Sequence, residues 1–166
     1  METCSIEAVI SALNQAKVRY LIAGGLAVNA HGYVRFTIDL DLVIQLESAN
    51  IQAAWEALRG LGYQARVPIT AQQFADANLR EKWQKEKGML VLQFWSDEHR
   101  RTPVDIFVQE PFEFDQEYAS AELHEIAPNL KAKVVTKSTL VRMKKEAARP
   151  KDLLDLEMLG KIEETQ

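Results

Sequence analysis

The sequence predicts an α/β (α+β) fold, a mixed β-sheet flanked by helices, on three observations. Residues 36–44 alternate strictly, with Phe36, Ile38, Leu40, Leu42 and Ile44 on one face and Thr37, Asp39, Asp41 and Val43 on the other. Two further runs of strand formers, 89–95 and 104–108, are joined by a charged loop and read as a hairpin. Between the strands lie segments whose apolar residues recur at helical spacing, the arrangement that layers helices on a sheet.

Taken in order, Ile6, Val9, Ile10 and Leu13 predict an opening amphipathic helix over 5–16. Residues 18–23 are an apolar strand that ends at Gly24-Gly25, and a short helix over 26–30 closes at Gly32. After the 36–44 strand, 48–59 reads as a helix capped by Ser48 and stopped at Gly60. Residues 64–69 are a weak strand, and 70–87 is a polar helix on the surface. The hairpin follows, and 110–129 carries no clear period and reads as irregular. A basic helix over 136–148 leads to Pro150, which suits the first turn of a last helix ending at Gly160. No repeat or linker divides the 166 residues, so they read as one domain, 1–166, with 136–160 as a C-terminal helical pair packed on it. A domain this long buries roughly 70% of the surface of its unfolded chain.

Composition narrows the class. The hydrophobic share of 47% and charged share of 27% are those of a globular protein and exclude a disordered or collagen-like chain. No apolar run reaches the ~20 residues of a membrane span. The first residues include Glu2 and Glu7 with no basic region before an apolar stretch, so no signal peptide is expected. The single cysteine, Cys4, cannot close an internal disulfide. A cytoplasmic location is the expectation.

The net charge of −4 argues against a general nucleic-acid binder, but its distribution is uneven. Residues 131–151 hold eight basic side chains and one acid, a charge of +7 that leaves −11 for the remainder. A basic strip against an acidic body suits a small polyanion held beside carboxylates.

Chemistry concentrates in three features. Asp39 and Asp41, two apart on a strand, point to one side. At about 5 Å two carboxylates repel by roughly 3 kcal/mol at an effective dielectric near 20, and acids are poor strand formers. A cation between them resolves both problems, and Mg²⁺ is the natural candidate because it takes carboxylates together with substrate phosphates. Gly24-Gly25, between a strand and a helix, lets backbone N–H groups approach a phosphate. Asp105 is a third acid flanked by aliphatic residues in a strand pattern. If its strand lies beside that of Asp39 and Asp41, three carboxylates converge, a set suited to two metal ions.

These residues resemble a known family. Leu21-Ile22-Ala23-Gly24-Gly25 followed by Arg35-Phe36-Thr37-Ile38-Asp39-Leu40-Asp41-Leu42 is similar to the signature of the DNA polymerase β-like nucleotidyltransferase superfamily, and Asp105 matches its third carboxylate. The stretch from Met143 to Leu156, which includes Lys144, Arg149, Asp152 and Asp155, resembles a helical segment of small bacterial members. These are the abortive-infection toxin type and antibiotic-modifying enzymes. The resemblance implies transfer of a nucleoside monophosphate from an NTP to an acceptor, with pyrophosphate released. It implies that Asp39, Asp41 and Asp105 bind two Mg²⁺ ions, with Mn²⁺ an alternative, and that Asp105 helps deprotonate the acceptor. Gly24 and Gly25 would cradle the β- and γ-phosphates and Lys144 would contact phosphate. Arg35 and Thr37 could touch phosphate or simply end the strand. The Gly-Gly form lacks the serine hydroxyl of Gly-Ser members.

Asp152 and Asp155 read as structural: they lie in the first turns of a helix, where acids complement the dipole, with Arg149 in reach of Asp152. The acceptor stays open between a small molecule, a tRNA end and a protein. A tRNA would favour a continuous basic patch from 131–151, and a small molecule a closed pocket walled by 110–129. The alternative reading is a catalytically inactive nucleotide-binding or interaction module of the same fold. Retention of all three acids counts against it.

Overall fold

The computed structural model describes residues 1–163. Along the chain run α1 (Thr3–Gln15), β1 (Tyr20–Ile22), α2 (Gly24–Ala30), β2 (Leu40–Ile44), α3 (Ser48–Gly60), β3 (Gln64–Ala65), α4 (Ala71–Ala75) and α5 (Ala77–Lys87). They are followed by β4 (Val91–Trp95), β5 (Val104–Phe107), α6 (Phe114–Ser120), β6 (Leu123–Ala127), β7 (Leu130–Lys133), α7 (Lys137–Ala147) and α8 (Pro150–Glu163). The main sheet is mixed, in the order β1-β2-β5-β4-β3, and β6 pairs with β7 in a separate ribbon. Within the main sheet β2–β5 is parallel, and β1–β2, β5–β4 and β4–β3 are antiparallel. Among the described residues, no helix is long and apolar enough to cross a membrane.

The core follows from the apolar patterns. Leu40, Leu42 and Ile44 are buried from β2, Leu92 and Phe94 from β4, and Val104 and Ile106 from β5. Val9, Ile10 and Leu13 of α1 and Ile51, Ala54 and Leu58 of α3 pack into the same core. Each fully buried side chain of this kind contributes about 1.5–3 kcal/mol.

The strand predicted over 36–44 is half as long as its alternation suggests. Pairing begins at Leu40, whose N–H meets the Pro103 carbonyl, because β1 has already turned into α2 and β5 has not begun. Upstream of it, 33–38 is a loop that leaves Val34, Phe36 and Ile38 exposed. The polar helix over 70–87 is two helices broken at Asp76, whose carboxylate accepts from the N–H groups of Asn78 and Leu79 to cap α5. At α3 the cap position belongs to Glu47, with Ser48 the first helical residue. The 110–129 segment, expected to be irregular, forms α6 and β6, and Glu113 caps α6 through Gln116. Helix α8 continues past Gly160 to Glu163.

The C-terminal pair appears as α7 and α8, packed on each other, with α7 also touching α2. Residues 134–135 run beside β1, where Val135 donates to the Ile22 carbonyl. The end of the chain is thereby brought over the Gly-Gly turn.

Candidate functional site

The parallel pairing of β2 with β5 puts Asp41 and Asp105 directly in register. Their backbones are therefore neighbours at the ~4.8 Å spacing of paired strands, with side chains on one face. Gln93, in register with Asp105 on β4, donates from Nε2 to Asp105 Oδ1 at 2.8 Å. That bond holds the carboxylate in place from the far side.

Gly24 has φ +60°, and a Cβ built there would lie 1.8 Å from Asp41 Oδ2. A Cβ on Gly25 would lie 2.3 Å from Thr37 Oγ1. The two glycines are thus a requirement of close approach, by Asp41 to one and by Thr37 to the other. The Gly25 N–H itself donates to the Asp41 carboxylate.

Electrostatics follow from this crowding. Burial, then the like charges of Asp105 and Asp39, push the Asp41 carboxyl up to about 6, against the Gly25 N–H and the Lys151 ammonium. Burial also raises Asp105, helped by Asp39 and opposed by the Gln93 bond, Arg66 and Lys151. Asp39 stands just upstream of β2, in the loop, where its charge acts on both neighbours.

Two cavities flank the acids. One, of about 260 Å³, is lined by Gly24, Gly25, Thr37, Asp39 and Lys151. The other, of about 400 Å³, lies on the β4 side and has mostly apolar walls from β5, α7 and the start of β4. Both reach Asp41 and Asp105. Among the described residues, no three His, Cys, Asp or Glu side chains stand close enough to enclose a metal ion together.

Lys144 does not offer a free cation. It is 4% exposed, with Nζ 3.1 Å from Asp152 Oδ1 and 2.7 Å from Asp155 Oδ2. Asp155 also receives Arg35, Nε at 2.6 Å and the guanidinium NH2 at 2.9 Å, and Asp152 receives Arg149 Nε at 2.6 Å. Burial opposes ionisation of Asp152, but hydrogen bonds from Arg149 and Lys144 hold its carboxyl below the usual range. Both acids are wholly buried and structural, and they pair far more widely than a helix dipole would explain. Arg35 is likewise spent on Asp155 and on the Phe36 carbonyl. Its backbone exchanges two hydrogen bonds with the Asn29 side chain of α2, each 3.0 Å. A loop without strand partners is thus held from two sides, and it carries Thr37 and Asp39.

Sequence reasoning missed Gln93, Asn29 and the position of Lys151 in the lining of the polar cavity. A glutamine inside the apolar run 89–95 was the one visible signal. Lys151 was legible only as one charge among eight. Within the basic strip Lys144 and Arg149 pair with acids, and Lys133 donates to the carbonyls of Tyr118 and Ala121. Nor does 110–129 wall the cavity beside the acids: its residues line a separate pocket with Gln45 and Arg80.

No family model matches the chain, and no curated protein matches it in sequence. Solved structures do match in shape. The antibiotic-resistance factor ANT(2'')-Ia, determined in solution, superposes with a TM-score of 0.61 at 13% identity, over 95% of this chain and 81% of its own. The lincosamide antibiotic adenylyltransferase LnuA, crystallised with lincomycin, gives 0.62 at 14% identity, over 93% and 94%. The chain shares the fold of these two structures.

Proposed function

We propose that the protein transfers a nucleoside monophosphate from an NTP to a hydroxyl acceptor and releases pyrophosphate. One observation carries this reading: two carboxylates in register on adjacent parallel strands, beside a Gly-Gly turn whose close approach to one of them leaves no room for a side chain. The likeness of fold to an adenylyltransferase supports it.

The donor set fits a divalent cation. Mg²⁺ commonly takes one or two carboxylates and leaves phosphate and water to complete its shell. Asp41 and Asp105 would hold it, with the charge of Asp39 nearby, and a cation there would relieve the repulsion that raises Asp41 and Asp105. Mn²⁺ accepts the same oxygen donors. Bound there, the ions would neutralise phosphate charge and favour the ionised acceptor hydroxyl.

The chain's own residues supply position. Gly24, Gly25, Thr37 and Lys151 line the polar cavity and would receive the β- and γ-phosphates. Lys151 takes the part that sequence reasoning gave to Lys144, because Lys144 and Arg35 are committed to buried acids. These two instead lock the loop bearing Thr37 and Asp39 against α7 and α8. Asp105, whose carboxyl burial raises, would accept the acceptor's proton. The acceptor oxygen then bonds to the α-phosphorus as the bond to pyrophosphate breaks. Positioning and charge account for most of such catalysis.

Pyrophosphate release from each NTP, with Mg²⁺ and a panel of hydroxyl compounds, tests the reaction. The wild type should release it with one nucleotide and one acceptor class, and Asp41→Asn should be silent. Metal-dependent nucleotide binding without turnover on any acceptor would favour an inactive nucleotide-binding module instead.

A further inference from the structure

We infer that the apolar cavity on the β4 side of the acids is the acceptor subsite, and that it takes an uncharged hydroxyl compound with an apolar body. This rests on the nucleotidyl-transfer reading. Across the sheet, β1 and its α2 turn come first, then Asp41 on β2, then Asp105 on β5, then β4. The two cavities share Gly24, Asp41, Asp105, Lys144 and Arg149; the polar one extends from them to Gly25, Thr37, Asp39 and Lys151, and the apolar one to Leu90, Val91 and Phe107 on the β4 side.

In-line displacement fixes which cavity does what. The attacking oxygen must approach the α-phosphorus opposite the departing pyrophosphate. With pyrophosphate against Gly25, Thr37 and Lys151, which line the polar cavity alone, the hydroxyl enters across Asp105, from the β4 side. The acceptor O–H proton passes to the Asp105 carboxylate, the new O–P bond forms, and the P–O bond to pyrophosphate breaks with its electron pair leaving on pyrophosphate.

The walls then define the acceptor. Leu90, Val91, Phe107, Leu140, Met143 and Ala147 surround a space of about 400 Å³, within the size range of small-molecule sites. The carboxylates in its lining are Asp41 and Asp105, the two that the metal claims. Its cations, Lys144 and Arg149, are paired with Asp152 and Asp155 or with Asp152 alone. A polycationic aminosugar finds no free acids here for its ammonium groups. An RNA end finds no unpaired basic side chain in the lining. An apolar body with a hydroxyl at one end matches both the walls and the acid mouth.

The test uses the full chain, titrated calorimetrically with 2-naphthol as a neutral apolar hydroxyl probe, in the presence and absence of saturating NTP and Mg²⁺. A polycationic aminoglycoside and a short single-stranded RNA ending in CCA serve as contrasting probes. The proposal expects 2-naphthol to bind together with the nucleotide. Met143→Lys and the exposed-site variant Leu90→Lys should each weaken the probe at least tenfold while the NTP dissociation constant stays within twofold. Leu90 is 64% exposed, so that variant separates lost binding from lost folding.

Competition between 2-naphthol and the NTP would overturn the proposal by making the cavity a nucleobase pocket. So would binding of the aminoglycoside or the RNA, sensitive to these variants, with none of 2-naphthol. Failure of every NTP to bind the wild type with Mg²⁺ would instead bring down the nucleotidyl-transfer reading, a result obtained before any acceptor probe is added.

Discussion

At Asp41 the fold accepts an electrostatic cost that a bound cation would offset. Its carboxyl is pushed up to about 6 by burial and by two neighbouring acids. A native value above the unfolded one means that the folded chain binds more protons than the unfolded chain between about pH 4 and pH 6. The group therefore favours folding at low pH, and that contribution is lost as the pH rises through about 6. Asp41→Asn should accordingly stabilise the apo protein by about 1–2 kcal/mol at pH 7.5, or a few degrees in Tm, and by much less at pH 5. Thermal melts at the two pH values check this; equal shifts would remove like-charge strain from the account. Because protonated Asp41 is a poor metal ligand, Mg²⁺-dependent nucleotide binding should weaken as the pH falls through about 6, which titrations across pH 5–8 would show. At Gly24 the prediction is steric. Gly24→Ala must move either the turn or Asp41, since its Cβ would overlap Oδ2 and its φ is positive. It should cost more than 1 kcal/mol and abolish nucleotide binding, measured by melting and by titration.

At the scale of elements, α8 inverts the usual rule: Asp152 and Asp155 are buried while Leu153 and Leu154 are largely exposed. Hydrophobic periodicity cannot find such a helix face, because what it buries is a charge network with Lys144, Arg35 and Arg149. Removing one member of a buried pair leaves an uncompensated charge, at about 3–5 kcal/mol. Lys144→Ala should therefore lower Tm strongly, whereas a pure phosphate contact would leave Tm nearly unchanged; denaturation with parallel nucleotide titration separates the two. The 36–44 strand shows the complementary difficulty. Its alternation was legible and its central acids fell where a strand holds them, yet Phe36 and Ile38 are exposed because neither neighbour extends that far. Pattern reports which residues share a face, and pairing depends on where other strands begin. The 110–129 segment stayed illegible because its elements are short and β6 buries only Ala127.

Over the whole molecule, the motif residues were legible because each obeys local geometry: glycines where the backbone turns closely, acids two apart at a strand end. Long-range partners such as Asn29 with Arg35 and Lys144 with Asp155 were not, since nothing near them in sequence marks the pairing. The sheet order gathers these pieces, setting a polar cavity and an apolar one against one shared carboxylate pair. The claim that this pair binds a metal-chelated triphosphate is tested most directly by calorimetric titration of the four NTPs, with and without Mg²⁺, on the wild type and Asp41→Asn. The account predicts binding of at least one NTP that requires Mg²⁺ and disappears in a folded Asp41→Asn. Nucleotide binding that ignores both the metal and the substitution, or none to any NTP, would contradict it.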